Sequence, residues 1–157
     1  MNQLTLFHFF RRGFFPVVGK TLLKNSFIQV SDLSSMLVAM AEQTGVYSPG
    51  PYYPDDGKGG YTCDEVLSAA AKVFGRKIRK IKVPTRFAQV VAWTSETLGD
   101  LFGKTPLLNT DKFEEISQPF WFCSGNLLRE TFGVSPKILL DEGLKSACEW
   151  YEKEGWL

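Results

Sequence analysis

Gly19-Lys20-Thr21 closes the way a phosphate-binding loop closes, with a lysine to reach a phosphate and a hydroxyl beside it. The spacing denies that chemistry, because Gly13 to Gly19 is one residue longer than the G-x-x-x-x-G that lets successive amides converge on an anion. Gly57, Gly59 and Gly60 make no dinucleotide fingerprint either: the third glycine is misplaced and no hydrophobic strand leads in. His8 is the only histidine, so any histidine triad or metal cluster would have to be built on it. Set between Phe7 and Phe9, with no orienting carboxylate near it in sequence, it reads as a packed or surface side chain. Asp55-Asp56 and Glu114-Glu115 are adjacent pairs, which a helix or strand turns to different faces, against the convergence that two-carboxylate catalysis needs. Cys63, Cys123 and Cys148 cannot all pair and lack metal or redox spacing. They read as reduced thiols of a cytoplasmic protein. By residue chemistry the chain has neither a catalytic constellation nor a metal site.

The elements that would position such residues alternate irregularly. Residues 2–12 form one short helix, apolar nearly all round, ended by Gly13. Phe14–Val18 reads as a strand holding Pro16, and Phe27–Val30 as a second strand, with Ser31-Asp32 capping a helix that carries Leu33, Met36, Leu37, Met40 and Ala41. Thr44–Gly60 is a long loop rich in Gly, Pro and Tyr, with Tyr52-Tyr53 its one strand candidate. Thr62-Cys63-Asp64-Glu65 has the spacing of a capping box opening a helix that stops at Gly75. Arg76–Val83 interleaves five basic residues with Ile78, Ile81 and Val83, the pattern of an edge strand guarded by charge. A long helix from Pro84 to Gly103, a short one at Asp111–Ile116, a strand at Phe120–Phe122, a helix capped by Ser124 and stopped by Gly133, and a last helix over Leu140–Trp150 complete the reading. Short strands scattered among helices argue an α+β fold.

At 157 residues, 44% hydrophobic and 22% charged, the chain suits a single domain, residues 1–157, with a core of native size. The net charge of +1 gives no reason to expect nucleic acid. Charge is uneven, however: residues 1–30 carry four basic side chains and no acidic ones. The first apolar run precedes Arg11-Arg12 instead of following a charge, so it is not a signal peptide, and no stretch reaches the ~20 apolar residues of a membrane span.

The order of segments resembles one family. Phe27-Ile28-Gln29-Val30-Ser31-Asp32-Leu33 is similar to the "F-I-H-V-D-D-L" segment in the C-terminal half of the extended short-chain dehydrogenase/reductases, the NAD-dependent epimerase/dehydratase family. Tyr52-Tyr53 before Asp56-Gly57, Tyr61–Val66, and Gly75-Arg76-Lys77 leading to Val83-Pro84 resemble the same lobe downstream. Ser124–Pro136 is similar to that family's "S-x-K-A-x-x-E-L-G-W-x-P", and Leu140–Leu144 with Trp150-Tyr151 to its closing helix. The family's Gly-rich loop and Tyr-x-x-x-Lys pair find no counterpart; no tyrosine here has a lysine four residues on.

The resemblance implies a small mixed α/β substrate-binding lobe without the Rossmann domain, cut from or encoded apart from an N-terminal cofactor domain. It implies no catalytic residue and no cofactor held by this chain alone, with NAD or NADP bound by the complete protein. Its activity would be that of an epimerase, dehydratase or reductase. It nominates Phe10, Arg11, Phe14, Pro16, Lys24, Asn25 and Phe27 as facing a small-molecule substrate. Nucleotide-sugar epimerases usually carry an arginine two residues before the strand phenylalanine, where this chain has Asn25 beside Lys24. Lysine neutralises a phosphate without the guanidinium fork. A substrate other than a nucleotide sugar is therefore at least equally expected, and the closing Trp150–Leu157 resembles the reductase and sterol-dehydrogenase branches. The alternative is a non-enzymatic interaction module derived from the lobe, pairing as a homo-oligomer through Leu4, Leu6, Phe7, Phe9 and Phe10 of the first helix.

Overall fold

The computed structural model describes residues 3–19, 24–43, 45, 50–102, 110–118 and 120–157. Lys20-Thr21, the end of the discounted phosphate loop, and Gly103, the expected stop of the long helix, lie outside them. Helix α1 (Gln3–Arg12) runs into β1 (Phe14–Val18) through Gly13, whose φ of +78° lets the chain reverse without a Cβ clash. β1 pairs in parallel with β4 (Arg79–Val83), Pro16 lying opposite Ile81. A proline is tolerated there because among the described residues this sheet has two strands, so the ladder does not need its missing N–H.

The second sheet has the order β3-β2-β5. β2 (Lys24–Asn25) is antiparallel to β3 (Tyr61–Thr62) and parallel to β5 (Phe120–Trp121). The expected strand at Phe27–Val30 is corrected: the ladder stops at Asn25, the Ser26 hydroxyl accepts from the Cys123 amide, and the Phe27 carbonyl accepts from Asp56 N–H at 2.9 Å. Those bonds turn the segment from sheet to helix. Tyr52-Tyr53 is likewise no strand, and the Tyr52 ring packs edge-on against Phe132 at 5.1 Å.

Helix α2 (Val30–Glu42) is capped by the Gln29 side chain, not by Ser31 or Asp32. Helix α3 (Cys63–Val73) has the complete capping box, Thr62 and Glu65 bonding each other's backbone amides. Helix α4 (Thr85–Phe102) packs on α5 (Thr110–Ser117), α6 (Asn126–Phe132) ends on Gly133 at φ +65°, and α7 (Leu140–Lys153) closes against α3.

Three apolar clusters form among the described residues. The largest joins Phe7 and Phe10, Val17, Tyr61, Leu67, Ala70, Leu144 and Cys148. Met36, Leu128 and Phe132 clamp α2 to α6, while Ala88, Ala92 and Phe113 hold α4 on α5. The aromatic first helix therefore finds partners within the chain: Phe7 meets Phe74 and Tyr151 edge-on, and Phe10 is fully buried. This is the expected α+β lobe. Among the described residues neither sheet has the run of parallel strands of a nucleotide-binding domain.

Candidate functional site

The nominated residues fall into two groups. Phe10 is core; Arg11 is exposed and, with Arg76, Lys145, Cys148, Glu149 and Glu152, lines a cleft of about 390 Å³ between α1, α3 and α7. Phe14 and Pro16 are half-buried in β1, Phe14 tilted against Phe9 at 5.4 Å. Lys24 and Asn25 belong instead to the β3-β2-β5 sheet, Lys24 exposed at its surface and opposite Thr62 and Phe120. Phe27 is half-buried, 6.0 Å from the Tyr61 ring, and closes the main core from that side.

Beneath this sheet lies a polar cluster that the spacing of its residues does not announce. Asp55 and Asp56 are buried, and the turn they open sends them apart: Asp55 Oδ1 takes the Arg129 guanidinium and the Gly57 amide, while Asp56 takes the Tyr61 hydroxyl and the Lys58 amide. Oδ2 of Asp55 is buried, with no hydrogen-bond partner among the described residues. Gly125 leaves room for the pair, since a Cβ there would stand 2.5 Å from Asp55 Oδ1 and 3.0 Å from the Tyr53 carbonyl. Asp32, expected as a cap, is buried and crosses the chain, its Oδ2 accepting from the amides of Lys137 at 2.9 Å and Ile138 at 2.8 Å. The one sequence signal for the cluster was the Asp-Asp-Gly turn itself.

These groups are held in place by hydrogen bonds. Burial, then the bond to Asp56, pushes the Tyr61 phenol up to about 12, so it stays protonated as a donor. Burial raises the Cys63 and Cys148 thiols, which removes them as thiolate nucleophiles at neutral pH. Among the described residues His8 has no carboxylate partner, and no three His, Cys, Asp or Glu side chains gather to hold a metal. Among the described residues Gly57, Gly59 and Gly60 lie in a loop with no strand leading in, and no tyrosine of the sequence has a lysine four residues on.

Solved structures share this fold. An epimerase from Methanothermobacter thermautotrophicus superposes with a TM-score of 0.67 over 99% of this chain and 38% of its own, at 13% identity. The UDP-glucose 4-epimerase of Thermotoga maritima gives 0.63 over 98% and 40%, at 14% identity. This chain has the fold of the C-terminal lobe of an extended short-chain dehydrogenase/reductase. In sequence the lobe is similar to the ceramide reductase of Caulobacter vibrioides, 32% identical over 148 residues, 90% of this chain and 43% of that enzyme. The lobe thus spans less than half the length of the relatives it matches. No protein-family model matches it.

Proposed function

We propose that this chain is the substrate-binding portion of an NAD(P)-dependent reductase, a single domain that orients a carbonyl or hydroxyl substrate toward a nicotinamide held by another domain. The observation that carries the reading is the 32% identity, across 90% of the chain, with a ceramide reductase. It favours a long-chain lipid substrate over a nucleotide sugar, in keeping with Lys24-Asn25 where sugar-nucleotide epimerases usually carry arginine. Cytoplasmic residence belongs to the same reading and is supported by three free thiols.

Of the nominated residues, Arg11 and Lys24 are exposed and charged, fit to meet a polar headgroup, whereas Phe10 serves from within the core. Titration of the 157-residue chain with NAD(H) and NADP(H) is expected to give no saturable binding; a micromolar isotherm overturns the division of labour. With the chain joined to the cofactor-binding portion of the Caulobacter enzyme, Arg11→Ala and Lys24→Ala should each raise the KM for a carbonyl-bearing lipid about tenfold or more and leave NAD(P)H affinity unchanged. Unchanged kinetics in both variants removes these residues from the site. A second reading, an interaction module, is favoured by the exposed run Phe120, Trp121 and Phe122, and by Leu6 and Phe9, half-exposed on α1. Sedimentation across a concentration series tests it, association being the outcome it requires.

A further inference from the structure

The charged segment read from sequence as a guarded edge leads directly into a helix whose outer face is apolar. Between Arg76 and Trp93 stand six basic residues and no acidic one. Lys80 is taken by Asp64 of α3 at 2.5 Å. Arg79, Lys82 and Arg86 are exposed, and among the described residues none of them is in an ion pair. Along α4, Ala88 and Ala92 face the α5 side and are buried, so the opposite face carries Arg86, Phe87, Val90 and Trp93 at i, i+1, i+4 and i+7. Phe87 is 63%, Val90 58% and Trp93 66% exposed, and Ile81 of β4 is exposed as well. Beside this ridge a shallow apolar cavity of about 280 Å³ opens between α4 and α5, bordered by Val90, Trp93 and Phe113.

We infer that this face, β4 with the outer side of α4, docks on an anionic lipid surface. The charge selects the partner: a uniformly basic flank seeks anionic headgroups, and large apolar side chains beside it enter the boundary between headgroups and acyl chains, where tryptophan is favoured. The aliphatic Ile81 and Val90 offer no stacking face to a nucleic acid base. Helix α4 lies on the surface in this arrangement; no described helix is long and apolar enough to cross a membrane. Docking depends on no assumption about the substrate, although it would bring the protein to where a lipid substrate resides.

The test is co-sedimentation of the full chain with vesicles of phosphatidylcholine mixed with phosphatidylglycerol, against pure phosphatidylcholine. Binding is expected to the anionic vesicles, with a blue shift of tryptophan emission. Arg79→Glu/Lys82→Glu should weaken it about thirtyfold or more, from about fivefold for each basic residue lost at such a surface and the added repulsion of two carboxylates. Trp93→Ser should weaken it about tenfold through lost apolar insertion. A Trp156→Ser control, on the far end of the chain, should bind as the wild type does, and unchanged far-UV circular dichroism of every variant shows that folding is intact. No binding to anionic vesicles, binding that survives Trp93→Ser or the double charge reversal, or displacement of the vesicles by single-stranded DNA overturns the inference. None of these readouts involves turnover, so they fail or succeed apart from the proposed reductase role.

Discussion

The polar cluster under the β3-β2-β5 sheet and the α4–α5 hairpin treat their side chains in opposite ways. Around Asp32, Asp55 and Asp56, buried carboxylates are tied to amides, a guanidinium and a phenol contributed by segments far apart in the chain. In the α4–α5 pair the buried cluster among the described residues is Ala88, Ala92 and Phe113, while Phe87, Val90 and Trp93 stand in solvent. One region spends its chemistry on holding itself together, and the other keeps apolar surface outside. Inward-directed charge is destabilising to lose, whereas an outward apolar face contributes little to folding and is free to serve an encounter.

The sharpest way to break the contrast is Arg129→Ala. It strands a buried Asp55 carboxylate, and urea unfolding should show a loss of about 3–5 kcal/mol. A loss below about 1 kcal/mol would mean that the pair is only a surface contact. Asp32→Ala leaves the Lys137 and Ile138 amides without their acceptor and should cost about 2–3 kcal/mol by the same measurement, with helix α2 loosened from the 133–139 segment.

Tyr61 gives the contrast a pH axis. Its phenol is raised in the folded chain from 10.0 to about 12, so the protonated form is favoured by folding. That contribution is fully present below the unfolded value and is lost as pH rises through the folded one, so stability should fall between about pH 10 and 12 by no more than about 3 kcal/mol. In Tyr61→Phe this alkaline step should disappear from a series of urea midpoints. The smallest effect is expected in the hairpin: Val90→Ser and Trp93→Ser should shift the urea midpoint by an amount worth about 0.5 kcal/mol or less. A large loss there would make the ridge part of the core.

Elements whose code lies within a few residues were legible from the sequence. The Thr62–Glu65 capping box, the stop at Gly133 and the strand through Pro16 all stand where spacing and residue type put them. The Phe27–Val30 strand was misread because alternation alone does not say whether a ladder partner is present; here Ser26 and Phe27 bond to Cys123 and Asp56. Of the nominated residues, sequence put Phe10, Arg11, Phe14 and Pro16 in one segment and Lys24, Asn25 and Phe27 in another. That they border different surfaces, a cleft against α7 and a separate small sheet, required the fold.

The sequence by itself determined the α+β class and the order of segments shared with the C-terminal lobe of the extended short-chain dehydrogenase/reductases. It also carried the basic run before α4, but not the direction in which Phe87, Val90 and Trp93 point. Only the tertiary structure decided the fate of the three aspartates. Asp55 meets a guanidinium 74 residues away and Asp32 meets amides 105 and 106 residues away. The physical reason is one of range. Caps and periodicity are energies between near neighbours, which type and spacing specify. A buried carboxylate is stable only against whichever donor the folded chain brings within hydrogen-bond distance, and no local rule names that donor.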